Sequence, residues 1–137
     1  MFAQLYQLYL LIAVGGALGT LARFMLSGLI ASSFGETFPW GTLIVNVTGS
    51  FVIGLFATLT GPDGRLLVSG SVRQFVMVGI CGGYTTFSSF SLQTLNLMRD
   101  GEWMSVAANV LGSVILCLLF VWLGAVGANI FNRFEAG

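Results

Sequence analysis

The chain consists of four long apolar stretches with very little between them. They run over about residues 5–30, 40–60, 72–98 and 103–131. A membrane-crossing helix needs ~20 mainly apolar residues, and each stretch is long enough. The segments between them, "SSFGETFP", "TGPDGR" and "RDGE", carry the turn and charge signals. Pro39 and Pro62 both fall in these connections. The pattern predicts an all-α integral membrane protein with a single four-helix domain over residues 1–137. The N-terminal "MFAQLYQLYLL" lacks the basic start of a secretory signal, so the first stretch reads as a retained helix.

The charges exclude several function classes. Charged residues make up 7% of the chain, far below the about 25% of soluble domains. There is no Lys and no His, and the net charge is zero. Nothing resembles the basic footprint of a nucleic-acid binder. Glu36, Asp63, Asp100, Glu102 and Glu135 all lie in connections or at the terminus. Acid–base and metal chemistry therefore lack their usual side chains, and the chain does not read as an enzyme. Proton-coupled exporters use a carboxylate inside the membrane, and none is present. Cys81 and Cys117 form no CxxC pair and read as small buried hydrophobes.

The arginines bear on topology. Four spans place both termini and the middle connection on one side, with Arg65, Arg73 and Arg133. Arg99 and Arg23 belong to the other side. So small a difference selects no orientation strongly. It is compatible with an ordinary weakly biased protein, or with dual topology and an antiparallel dimer. A packed four-helix bundle has a filled centre, which favours a conduit formed between several chains.

The remaining polar groups are neutral. Thr42, Asn46 and Gly49 share one face of the second span. Ser105, Asn109 and Ser113, with Gly112 beside them, draw a similar stripe on the fourth. Such stripes hold membrane helices together. They can also replace part of an anion's hydration shell while binding it weakly enough for release. Gly15, Gly16 and Gly19 include a close-packing GxxxG spacing. Arg23, near the end of the first span, reads as an anchor for the helix end or as positive charge at a pore mouth.

The third span contains "CGGYTTFSSFS", residues 81–91. Adjacent glycines followed by hydroxyls predict a helix interrupted at mid-membrane. Irregular backbone survives there only when protein or a water-filled cavity covers it. Carbonyls freed by such a break can coordinate a small cation such as Na⁺. Phe87 and Phe90 lie on one side of the helix. They are compatible with ordinary packing, or with electropositive ring edges turned toward an anion.

With these residues in place, the chain resembles the Fluc family of fluoride channels, also called CrcB proteins. The resemblance rests on "GGALGTLARF", "WGTLIVNVTGSFVIG", "GGYTTFSSFS" and "NVLGS", in that order over nearly the whole chain. It implies an antiparallel dual-topology homodimer in the cell inner membrane of a bacterium. It implies two fluoride pores per dimer, passive export of fluoride, and a structural Na⁺ at the two-fold axis. By the resemblance, Phe87 and Phe90 are pore phenylalanines, Asn46 the pore asparagine, and Ser113 a pore hydroxyl. Thr42 and Asn109 join the polar path, and the carbonyls of Gly82 and Thr85 hold the Na⁺. Arg23 matches the arginine near the end of the first span. The chain departs from many relatives by Ser105 and Asn109 in place of Tyr and Ser. It also has Gln93 in place of Glu, at a pore mouth or in a structural role. The other readings are a dual-topology proton-coupled exporter of small molecules and an accessory membrane subunit without transport of its own.

Overall fold

The computed structural model describes residues 1–134, so Glu135 lies outside the described residues. Helix α1 spans Phe2–Phe34 and α2 spans Trp40–Leu59. The third crossing is assembled from pieces. These are α3 (Gly70–Gln74), a π-helical segment (Phe75–Cys81), α4 (Gly82–Tyr84) and α5 (Phe87–Arg99). Helix α6 spans Trp103–Phe134. All four crossings are long and apolar enough to span a membrane.

The ends of the helices follow local chemistry. Ser69 caps α3 by accepting the Val72 N–H, and Thr86 caps α5 by accepting the Ser89 N–H. Gly35 ends α1 with φ 79°, and Gly101 turns the chain between α5 and α6 with φ 74°. The outer faces carry exposed Leu10, Leu18 and Leu111, as lipid-facing helices require.

Helices cannot be drawn together in lipid by burying apolar surface, so close backbone approach must do it. Here α1 packs on the first half of the third crossing, and α2 packs along α6. A Cβ at Gly19 would sit 2.1 Å from the Ile80 carbonyl oxygen, and one at Gly83 2.4 Å from that of Gly16. The GxxxG face of α1 is thus a seat for the third crossing. Gly19→Ala should destabilise the protein by roughly 1–3 kcal/mol through overpacking against backbone that cannot yield. Gly112→Ala, with nothing near its Cβ, should not. Thermal unfolding of both variants in detergent checks this; equal melting temperatures would refute the seat.

Two sequence expectations need correction. Gly82 and Gly83 do not break the helix. Gly82 is helical, with φ −65° and ψ −37°, and the extended residues are Thr85 and Thr86. The glycines stay helical because lipid offers no substitute for a helix hydrogen bond. The small size of Gly83 serves contact with α1 instead, since a Cβ there would meet the Gly16 backbone. Arg23 is not at the end of its helix either, since α1 continues to Phe34. Its Nε donates to the Gly83 carbonyl at 3.2 Å. Arg23 therefore anchors the break in the third crossing rather than a helix end.

Candidate functional site: a clamped break between two cavities

Asn46 clamps the break directly. In a continuous helix the Thr86 N–H would close onto the Gly82 carbonyl. It donates instead to Asn46 Oδ1 at 2.7 Å, while Asn46 Nδ2 donates to the Thr86 carbonyl at 3.0 Å. Asn46 thus pairs with Thr86 as a neighbouring strand would. It satisfies both backbone groups of an extended residue that has left the helix. Gly49, one turn further along α2, admits Thr85: a Cβ there would lie 2.3 Å from Thr85 Cγ2. The spacing of Asn46 and Gly49 on one face reflects these two tasks.

The same rearrangement frees carbonyls. The Gly82 carbonyl loses the Thr86 N–H to Asn46. The Thr85 carbonyl loses its usual donor because the Ser89 N–H bonds the Thr86 hydroxyl. By contrast, the Cys81 carbonyl accepts from both the N–H and the hydroxyl of Thr85. The Gly83 carbonyl accepts from Arg23 and, at 3.4 Å, from Thr20. The two carbonyls expected to hold Na⁺ are among those whose helical donors are lost at the break. Neutral carbonyl oxygens are hard ligands, suited to a hard monovalent cation.

Two cavities meet at this break. The larger, about 610 Å³, is lined by Arg23, Thr42, Ser89 and Gln93, with Glu36 and Asp100 among its other borders. The smaller, about 420 Å³, is lined by Asn46, Ser113, Gly82, Thr85, Phe87 and Phe90. Thr86 lines both. The Phe87 and Phe90 rings have centroids 5.2 Å apart and planes tilted by 42°. Phe90 is buried, but Phe87 is 77% exposed on the single chain. No acidic side chain lines the smaller cavity among the described residues.

The other expected residues are placed differently. Asn109 is 1% exposed and lines neither cavity. Its Nδ2 donates to Thr94 Oγ1 at 2.9 Å, and its Oδ1 accepts from Ser113 at 3.4 Å. Thr94, which sequence reasoning missed, is the buried partner of Asn109 and donates to the Phe90 carbonyl at 2.7 Å. The signal for it was present: Thr94 lies four residues after Phe90 and continues its face. Gln93 faces the larger cavity with Oε1 buried and without a hydrogen-bond partner among the described residues. A water in that cavity can supply the missing donor.

A family model described as "CrcB-like protein, Camphor Resistance (CrcB)" matches residues 10–125. The chain belongs to the CrcB family. Curated relatives agree across almost their whole length. A protein of Opitutus terrae named fluoride-specific ion channel FluC is 66% identical over 125 residues, covering 89% of this chain and 95% of the relative. A protein of the same name from Rhodospirillum rubrum is 63% identical, covering 91% and 97%. Another, from Methylocella silvestris, is 56% identical over 127 residues, covering 93% and 97%. The clamped break, the two phenylalanines and the polar stripe of α2 all lie within the matched CrcB region.

Proposed function

We propose that this CrcB protein is a fluoride-selective channel of the bacterial membrane, and that fluoride passes from the larger cavity by Thr86 into the smaller one. The observation that carries the route is Thr86 itself, the residue common to both cavities and held open by Asn46. The close relatives named as fluoride-specific channels carry the choice of ion. The protein is a channel and not an enzyme.

Each residue then has a physical task. Arg23 spends Nε on the Gly83 carbonyl and lines the entrance cavity with its positive charge, which attracts anions. Thr42 and Ser89 offer hydroxyls there. Beyond Thr86, Phe87 and Phe90 turn electropositive ring edges to the anion, and Ser113 offers a hydroxyl. Neutral donors hold the ion without trapping it. Flow is passive and downhill, so a cell that accumulates fluoride exports it.

The working unit is an antiparallel homodimer with two pores. Exposed Phe87, open on the single chain, is the kind of surface a second copy covers. The carbonyls of Gly82 and Thr85 are the ligands this chain offers to Na⁺ at the two-fold axis. When bound, the ion supplies the positive charge that satisfies carbonyls deprived of their helical donors.

Two experiments test this. Protein in KF-loaded liposomes should release fluoride quickly, read by a fluoride electrode, and release little chloride from KCl-loaded ones. No fluoride release from folded protein would overturn the channel. Exhaustive Na⁺ removal should weaken the dimer, measured by size-exclusion chromatography and melting temperature. Indifference in both would overturn the cation.

A further inference from the structure

Helix α5 carries both phenylalanines, yet little holds it within the chain. Its main neighbour is α6, with α2 touching it more lightly. The extended Thr85–Thr86 link uncouples it from the helix before it. Asn46 fixes its leading end through Thr86. A second fixed point is needed to set its register along α6, and hence where the Phe rings stand.

We infer that Thr94, through its hydrogen bonds to Asn109 and to the Phe90 carbonyl, is the positioning residue that sets the place of the phenylalanines and so the discrimination among anions. The bonds form one buried ladder: Ser113 donates to Asn109, Asn109 to Thr94, and Thr94 to the Phe90 carbonyl. Among the described residues, Asn109 to Thr94 is the side-chain hydrogen bond that joins α6 to α5. All three side chains are buried, so a slip of α5 along α6 would strand them without water to replace the partner. A slip is thereby opposed, and the ladder ends on the residue whose ring lines the pore cavity. Thr94 also has only one hydroxyl proton. Spending it on the Phe90 carbonyl obliges the oxygen to accept from Asn109, which gives the ladder a single direction.

This inference rests on the fluoride-channel reading, and the test separates the two. Wild type, Thr94→Ser and Thr94→Val are reconstituted together, and fluoride and chloride efflux are measured for each. Thr94→Val keeps the shape and removes the hydroxyl. It should lose at least about tenfold in fluoride efflux, equivalent to about 1.4 kcal/mol, and its fluoride-to-chloride ratio should fall. Thr94→Ser keeps the hydroxyl and should restore both. A purely structural Thr94 would change the amount of active protein and leave the ratio alone.

Thr94→Val strands the Asn109 amide and can fail to fold. The double variant Thr94→Val/Asn109→Leu removes both partners, a change that can be nearly neutral for stability. It should yield folded protein with the same loss of ratio. A wild-type ratio in either folded variant overturns the inference, as does a Thr94→Ser protein as impaired as Thr94→Val. Failure of wild type to release fluoride would instead overturn the channel reading.

Discussion

Phe87→Ile should reduce fluoride efflux from liposomes by at least about tenfold, a change of about 1.4 kcal/mol. Its cost to the fold of the single chain should be small, because Phe87 is 77% exposed there. Ile is apolar and bulky like Phe but has no quadrupole and no electropositive edge. The loss would therefore measure the ring's electrostatics more than its volume. Phe90→Ile should reduce efflux as well, and because Phe90 is buried it should also lower the melting temperature. The comparison separates the two contributions within one ring pair, whose centroids are 5.2 Å apart. Near-normal efflux in both variants would rule out the ring edges as anion contacts.

Asn46→Asp should be at least as damaging, for two reasons that act together. The side chain keeps an acceptor for the Thr86 N–H but loses the donor to the Thr86 carbonyl. A carboxylate oxygen would face a carbonyl oxygen, and a buried acceptor left without its donor costs roughly 1–3 kcal/mol. The same change places a negative charge in the smaller cavity, where it repels an anion. Efflux should fall by more than about tenfold, and the melting temperature should fall with it. If Asn46→Asp both conducts and melts like the wild type, Asn46 neither clamps the break nor lines the path. If stability falls while efflux per folded protein is unchanged, it clamps the break without lining the path.

Much of this arrangement is visible before any fold is known. Span length and composition are local quantities, and they place all four crossings. The absence of acids from the spans follows from the same reading. Residues four apart share a helix face, which groups Thr42 with Asn46 and Asn109 with Ser113. Three positions show where that reasoning stops. Gly82–Gly83 suggested a break by propensity, but both stay helical and Gly83 packs on α1. Arg23 suggested a helix end, but its partner lies 60 residues away. Asn109 suggested a path, but its amide is spent on Thr94 inside the α5–α6 contact.

Four membrane crossings, no charge within them to relay protons, and an interruption of the third near residues 82–91 are all legible in the chain's order of residues. Each follows from composition and short-range periodicity, because hydrocarbon penalises charge and unpaired backbone wherever they occur. That the interruption falls at Thr85–Thr86, that Asn46 pairs with it, and that Thr94 ties the phenylalanine helix to α6 emerges from the folded chain alone. The physical reason is that a polar group in lipid must find a partner within the protein. Which partner it finds depends on the helix that folding brings alongside.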